Sequence, residues 1–110
     1  MGLSLAHTRA DIARAALEGL ALELRVLWQA LESFSQHAIE QVIVIGGGAR
    51  NSLWNRIKAD VTGRALTIPQ HVEAVTLGAA MLAGIGCGMY CDEDDALRQL
   101  HLPCATIQPA

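Results

Sequence analysis

Five residues, Gln41-Val-Ile-Val-Ile45, run straight into Gly46-Gly47-Gly48, and the chain then passes through Asn51-Ser52 to apolar positions at Leu53, Ile57 and Val61. A short β-branched run without polar alternation reads as a strand covered on both faces, as a central parallel strand is. The glycines stop it. Asn51 and Ser52 are good N-cap residues for a helix, and Gly63 stands where that helix should end. Strand, glycine loop and helix in direct succession commit the chain to an α/β layout with parallel strands.

The flanking segments extend the pattern. Thr8-Arg-Ala-Asp11 has the Ser/Thr-x-x-acid form of a helix start. Ile12, Ala16, Leu20, Leu24, Leu27, Leu31 and Phe34 then recur at intervals of three and four, predicting one long helix over 8–36 with one apolar stripe. Gly19 interrupts that helix and suggests the close approach of another backbone. Ala65-Leu-Thr-Ile68 reads as a second strand, closed by Pro69. An apolar helix is predicted over 72–86, with Glu73 in its first turn, where the helix dipole favours an anion. Asp92 to Leu100 suits a last short helix, and residues 103–110 are expected to form a loose tail. Two strands are few for a sheet covered on both faces, so the expected sheet is incomplete and leaves edge groups unpaired.

Composition narrows the function classes. In 110 residues there is room for one core, and at 52% hydrophobic and 17% charged the chain is globular rather than disordered. The net charge of −3 sits in the tail: Asp92, Glu93, Asp94 and Asp95 face only Arg98, while the part through Cys91 is neutral. No basic patch exists to neutralise phosphodiesters, so nucleic acid is not an expected partner. Cys87, Cys91 and Cys104 form neither a Cys-x-x-Cys pair nor an even set, which fits a reducing cytosol and a cytoplasmic protein. Residues 74–91 carry no charge, yet Gly78, Gly84, Gly86 and Gly88 weaken their transfer into lipid, so a buried helix is expected rather than a membrane span. His7, His37, His71 and His101 are scattered and read as surface or loop residues. Asp60 and Glu73 read as a solvated helix end and a dipole-stabilising first turn.

The glycine loop supports two readings. A strand ending in three glycines before a capped helix is suited to phosphate, because the glycines admit a close ligand and the helix start offers unpaired N–H groups. A tight β–α turn would use the same residues for geometry alone. Two familiar nucleotide loops are excluded. The only lysine, Lys58, lies inside the helix, so the P-loop ending is missing. Asn51 replaces the third glycine of the dinucleotide fingerprint, and Ile68-Pro69-Gln70 occupy the place of its ribose-binding acid. No nucleophile or zinc motif is present, and no catalytic or metal-ligating residue is assigned.

Taken with its neighbours, Gly46-Gly-Gly-Ala-Arg-Asn-Ser-Leu-Trp-Asn-Arg-Ile-Lys-Ala-Asp-Val-Thr-Gly63 resembles the C-terminal domain of the FGGY carbohydrate kinases, xylulose kinase-like members in particular. Arg14-Ala-Ala-Leu-Glu-Gly19 and Glu73-Ala-Val-Thr-Leu-Gly-Ala-Ala80 agree in the same order and spacing. The resemblance implies a partial ribonuclease H-like domain of the actin-like ATPase superfamily: helix, strand, helix, strand, helix with a short parallel sheet, lacking the first three strands. On it, 1–110 would be the ATP-side part of a kinase of several hundred residues, and Met1 an internal or artificial start. Gly46, Gly47, Gly48 and Ala49 would lie along the ATP phosphates, and Asn51 or Ser52 would reach the adenosine. Ala79 and Ala80 would be close helix–sheet contacts. Magnesium, the catalytic base and most sugar contacts are expected from other parts of the kinase, so the chain alone is expected to be inactive. The competing expectation is a non-catalytic module that binds nucleotide or protein and self-associates through its open sheet edge.

Overall fold

The computed structural model describes residues 2–110. Its elements are α1 (Arg9–Ser35), β1 (Val42–Ile43), a 3₁₀ turn (Gly47–Arg50), α2 (Ser52–Thr62), β2 (Leu66–Pro69), α3 (Ala74–Gly86), α4 (Glu93–Leu100) and β3 (Cys104–Ile107). Local signals set most of these boundaries. Thr8 caps α1 in a full capping box: its N–H donates to Asp11 Oδ2 at 2.7 Å, while its hydroxyl oxygen accepts from Asp11 N. Those Thr8 bonds hold the Asp11 carboxyl below its ordinary pKa, the backbone bond most of all. Asn51 caps α2 by accepting from Trp54 N at 3.0 Å, and Gly63 ends it in the left-handed conformation at φ 67°. Asp92 caps α4 by accepting from Asp95 N.

The sheet is mixed, in order β1-β2-β3. β1 pairs parallel with β2, Val42 opposite Leu66, as the strand–helix–strand pattern predicts. The expected loose tail is corrected: Cys104–Ile107 forms a strand antiparallel to β2, with Leu66 opposite Ile107 and Pro69 opposite Cys104. The tail carries no run of large apolar residues to announce it. It is ordered instead by the free backbone edge of β2, and Ala110 N donates to Asp60 Oδ1 at 2.8 Å.

The helices depart from their expected faces. Helix α1 packs on α2, and its covered apolar face is Leu17, Ala21, Leu24 and Trp28, while Ile12, Leu20, Leu27, Leu31 and Phe34 of the sequence stripe are exposed. Only Leu24 belongs to both faces. Arg64 fastens the end of α1 to the strand entry, donating to Ile39 O and to Glu32 Oε1, both at 2.6 Å. A Cβ on Gly19 would meet nothing within 4 Å, so no backbone approaches it here.

Helix α3 packs chiefly on α4 rather than on the sheet. It is therefore not the buried helix expected from its composition: Val75 is 87% exposed, and Ala79 and Ala80 are exposed rather than set against strands. Among the described residues, no helix is long and apolar enough to cross a membrane. β1 and the residues after it are covered on one face only: Val42 and Val44 are half-buried, while Ile43 and Ile45 are exposed. The radius of gyration of 18.2 Å expresses the same openness. A compact chain of this length would have roughly 13 Å.

Where α3 turns into α4 the contact is close. A Cβ on Gly84 would stand 2.7 Å from two ring carbons of Tyr90, and Gly84 O already accepts from Met89 N at 2.8 Å. Gly84→Ala is expected to force the ring aside and destabilise the chain by about 1–3 kcal/mol. Thermal unfolding checks this; an unchanged midpoint would mean that the ring moves freely.

Candidate functional site

The segment between β1 and α2 forms a compact backbone turn. Gly46 leaves the strand at φ 83°, a conformation that glycine supplies without steric cost, and its N–H donates to Val72 O at 2.7 Å. Ala49 N then donates to Gly46 O at 3.0 Å and Asn51 N to Gly48 O at 3.3 Å, closing a 3₁₀ turn. The turn's own bonds leave out the N–H groups of Gly47 and Gly48, its first two donors. Both glycines are exposed. A Cβ on Gly47 would meet nothing within 4 Å, and one on Gly48 only the Trp54 ring edge at 3.9 Å. The backbone is thus open to close approach from outside, and its free donors suit a negatively charged group.

The turn is held from two sides. Asn55, one helical turn along α2 and 1% exposed, donates from Nδ2 to Ala49 O at 2.7 Å. Its Oδ1 has no partner among the described residues. On the outer side, Arg50 Nη2 pairs with Glu73 Oε1 at 2.9 Å, tying the turn to the start of α3. Both side chains are largely exposed, so the pair contributes little to stability, but it commits the cation nearest the glycines to a carboxylate. Lys58 lies in the wall of α2 with its ammonium 5.1 Å from the Trp54 ring centroid, and burial pushes its pKa below the ordinary lysine value.

The six residues singled out in the sequence stay together here. Gly46, Gly47 and Gly48 form the bend, Ala49 is buried beneath it, Asn51 caps α2, and Ser52 is the exposed first residue of that helix. The Asn51 side-chain oxygen is engaged by its cap bond, while its amide nitrogen and the Ser52 hydroxyl make no hydrogen bond among the described residues. Glu73 stands at the N-cap of α3 without a capping bond, and its role is the ion pair with Arg50. Sequence reasoning missed Arg50–Glu73 and Asn55. The ion pair spans 23 positions, and Asn55 has the pattern of any polar residue on an amphipathic helix. Asn55 lies four residues after the cap Asn51, which places it one turn above the loop, and that spacing is the one signal it offers.

The four histidines are all exposed, as their scatter suggested, and the three cysteines are free. Among the described residues no group of three or more His, Cys, Asp or Glu converges to hold a metal ion. A hollow of about 530 Å³ between α3 and α4, lined by Leu77, Met81, Tyr90 and Leu100 among others, is apolar and shares no residue with the glycine turn.

The model of the C-terminal domain of the FGGY family of carbohydrate kinases matches residues 1–87. The chain belongs to that family. Among its relatives, the L-fuculokinase of Escherichia coli O157:H7 is 36% identical over 100 residues, covering 91% of this chain and 21% of the relative. The glycerol kinase of Ralstonia nicotianae is 41% identical over 99 residues, covering 90% and 20%. Two solved structures share the fold. Xylulose kinase from Rhodospirillum rubrum has a TM-score of 0.73 at 33% identity, covering 100% of this chain and 22% of that one. Plasmodium falciparum glycerol kinase with ADP has a TM-score of 0.78 at 25% identity, covering 99% and 22%. The chain thus spans about a fifth of the length of the curated relatives named here. Its four helices and three-stranded sheet match the C-terminal part of the FGGY kinases' actin-like fold.

Proposed function

We propose that these residues are the nucleotide-holding part of an FGGY carbohydrate kinase, which transfers the γ-phosphoryl group of ATP to a sugar hydroxyl. The observation that carries this reading is the exposed glycine turn, whose Gly47 and Gly48 N–H groups are free at the entrance to α2. The pattern among relatives supports it. Kinases named for fuculose, glycerol and xylulose are similar to this one stretch at 33–41% identity, so the stretch carries what they share rather than what distinguishes their acceptors. A pentulose such as xylulose is the acceptor we favour, on the motif blocks alone; the structural matches to a xylulose kinase and a glycerol kinase, over 100% and 99% of the chain, do not separate the acceptors.

Phosphoryl transfer is catalysed mostly by positioning and charge stabilisation, and this chain contributes positioning. Gly47 and Gly48 hold the phosphates by their free N–H groups, Gly46 and Ala49 shape the bend that presents them, and Asn51 and Ser52 lie towards the nucleoside. The bound nucleotide supplies the phosphoryl group. The base at the sugar hydroxyl and the magnesium ligands come from elsewhere in such a kinase. The exposed stripe of α1 and the open edge of β1 then face the rest of the kinase; self-association through the same surfaces is the competing reading.

ADP is expected to raise the melting temperature of the purified chain, by about 2.7 kcal/mol of stabilisation at a hundredfold excess over Kd. ATP with a pentulose is expected to give no sugar phosphate. An unchanged melting temperature over millimolar ADP would defeat the nucleotide reading. Light scattering with and without nucleotide separates it from self-association, which predicts an assembly indifferent to ADP.

A further inference from the structure

Asn55 is a buried polar side chain with only one of its two polar atoms hydrogen-bonded. Its Nδ2 lies 2.7 Å from Ala49 O, and its Oδ1 has no partner among the described residues. The amide orientation follows from that distance, since two oxygens so close would repel. An unpaired buried acceptor is a standing cost, as a well-shaped apolar residue would not incur it. The side chain is therefore retained at a loss for packing, and what it obtains is one fixed carbonyl.

That carbonyl matters for the direction of the turn. In a helical turn the C=O groups point towards its C-terminal end and the N–H groups towards its N-terminal end. Ala49 O has no helical partner within the short 3₁₀ turn, because the chain changes course at Asn51, which has extended backbone at φ −86° and ψ 103°. Asn55 supplies the missing donor from inside α2. With Gly46 N bonded to Val72 O and Ala49 O bonded to Asn55, both ends of the turn are fixed, and the Gly47 and Gly48 N–H groups between them have one orientation.

We propose that Asn55 is a positioning residue for the glycine turn, holding the Ala49 carbonyl so that the Gly47 and Gly48 N–H groups are aimed at the phosphates of a bound nucleotide. This rests on the nucleotide reading above and adds a residue that touches no ligand itself. It makes the affinity for phosphate, and not for the nucleoside, depend on a side chain beneath the loop.

The test is calorimetric titration of ADP, and separately of adenosine, into the native chain and its Asn55→Leu and Asn55→Ala variants, with unfolding followed in parallel. The leucine variant keeps the branched four-atom side chain and removes the unpaired acceptor, and the smaller alanine variant decides should leucine fail to fold. Both are expected to bind ADP about tenfold more weakly and to keep their adenosine affinity. An equal loss for both ligands, or a loss of thermal stability with ADP affinity kept, would show a merely structural role and overturn the assignment. A native chain that binds ADP no better than its variants overturns the assignment alone. A native chain that binds neither ligand overturns the nucleotide reading and this assignment with it.

Discussion

Gly47→Val is expected to leave the chain as stable as before and to abolish ADP binding. A Cβ on Gly47 meets no atom within 4 Å, and its φ lies outside the left-handed region, so the added side chain finds room and no backbone strain. The space it fills is the approach to the free N–H groups of Gly47 and Gly48. Phosphate oxygens must come to about 2.7–2.9 Å from those donors, and a valine side chain excludes them. Losing two hydrogen bonds to a charged group, each worth about 1.5–3 kcal/mol, weakens binding by about a hundredfold or more. The neighbouring position behaves differently. Gly46→Ala should cost about 1–2 kcal/mol of stability, because φ 83° forces a Cβ towards the following carbonyl. Calorimetry with ADP and a thermal melt on each variant separate the two effects. Unchanged ADP affinity in Gly47→Val would show that the turn is only a turn.

Leu66→Ala is expected to be the most damaging single truncation in the core. Leu66 is fully buried at the centre of the sheet, opposite Val42 on one side and Ile107 on the other. Few other large residues share that burial; the remaining core is mostly small, with Ala21, Ala59 and Ala96 all at 0% exposure. Neighbours of that kind cannot collapse into the space left behind, so the loss should lie in the range of about 2–5 kcal/mol. That is a large part of the total for a small domain, which is on the order of 5–15 kcal/mol. Urea unfolding of Leu66→Ala beside Leu5→Ala, whose leucine is fully exposed, measures the difference. Equal midpoints for the two variants would mean that the sheet is not the stabilising centre.

The sequence by itself determined the ends of the helices, the parallel pairing of the first two strands and the place of the glycine turn. The parallel pairing follows from the strand–helix–strand order, and the helix ends and the turn rest on residues within a few positions of one another: Thr8 with Asp11, Asn51 with Trp54, Gly63 closing α2, and Gly46 opening the turn. Caps and positive-φ glycines are local chemistry, and local chemistry can be read from spacing. The tertiary structure alone decided which face of α1 is covered. That helix is apolar around much of its circumference, and the choice of Ala21 and Trp28 over Leu27 and Phe34 depends on what packs against it. It also decided that the tail becomes β3, since strand pairing there is made by backbone groups that every residue carries. The two restraints on the glycine turn belong to the same class. Arg50–Glu73 joins elements distant in sequence, and Asn55 is buried only because α2 lies against the turn it holds. Periodicity gives the residues that can be inside, whereas the energy of long-range packing selects those that are.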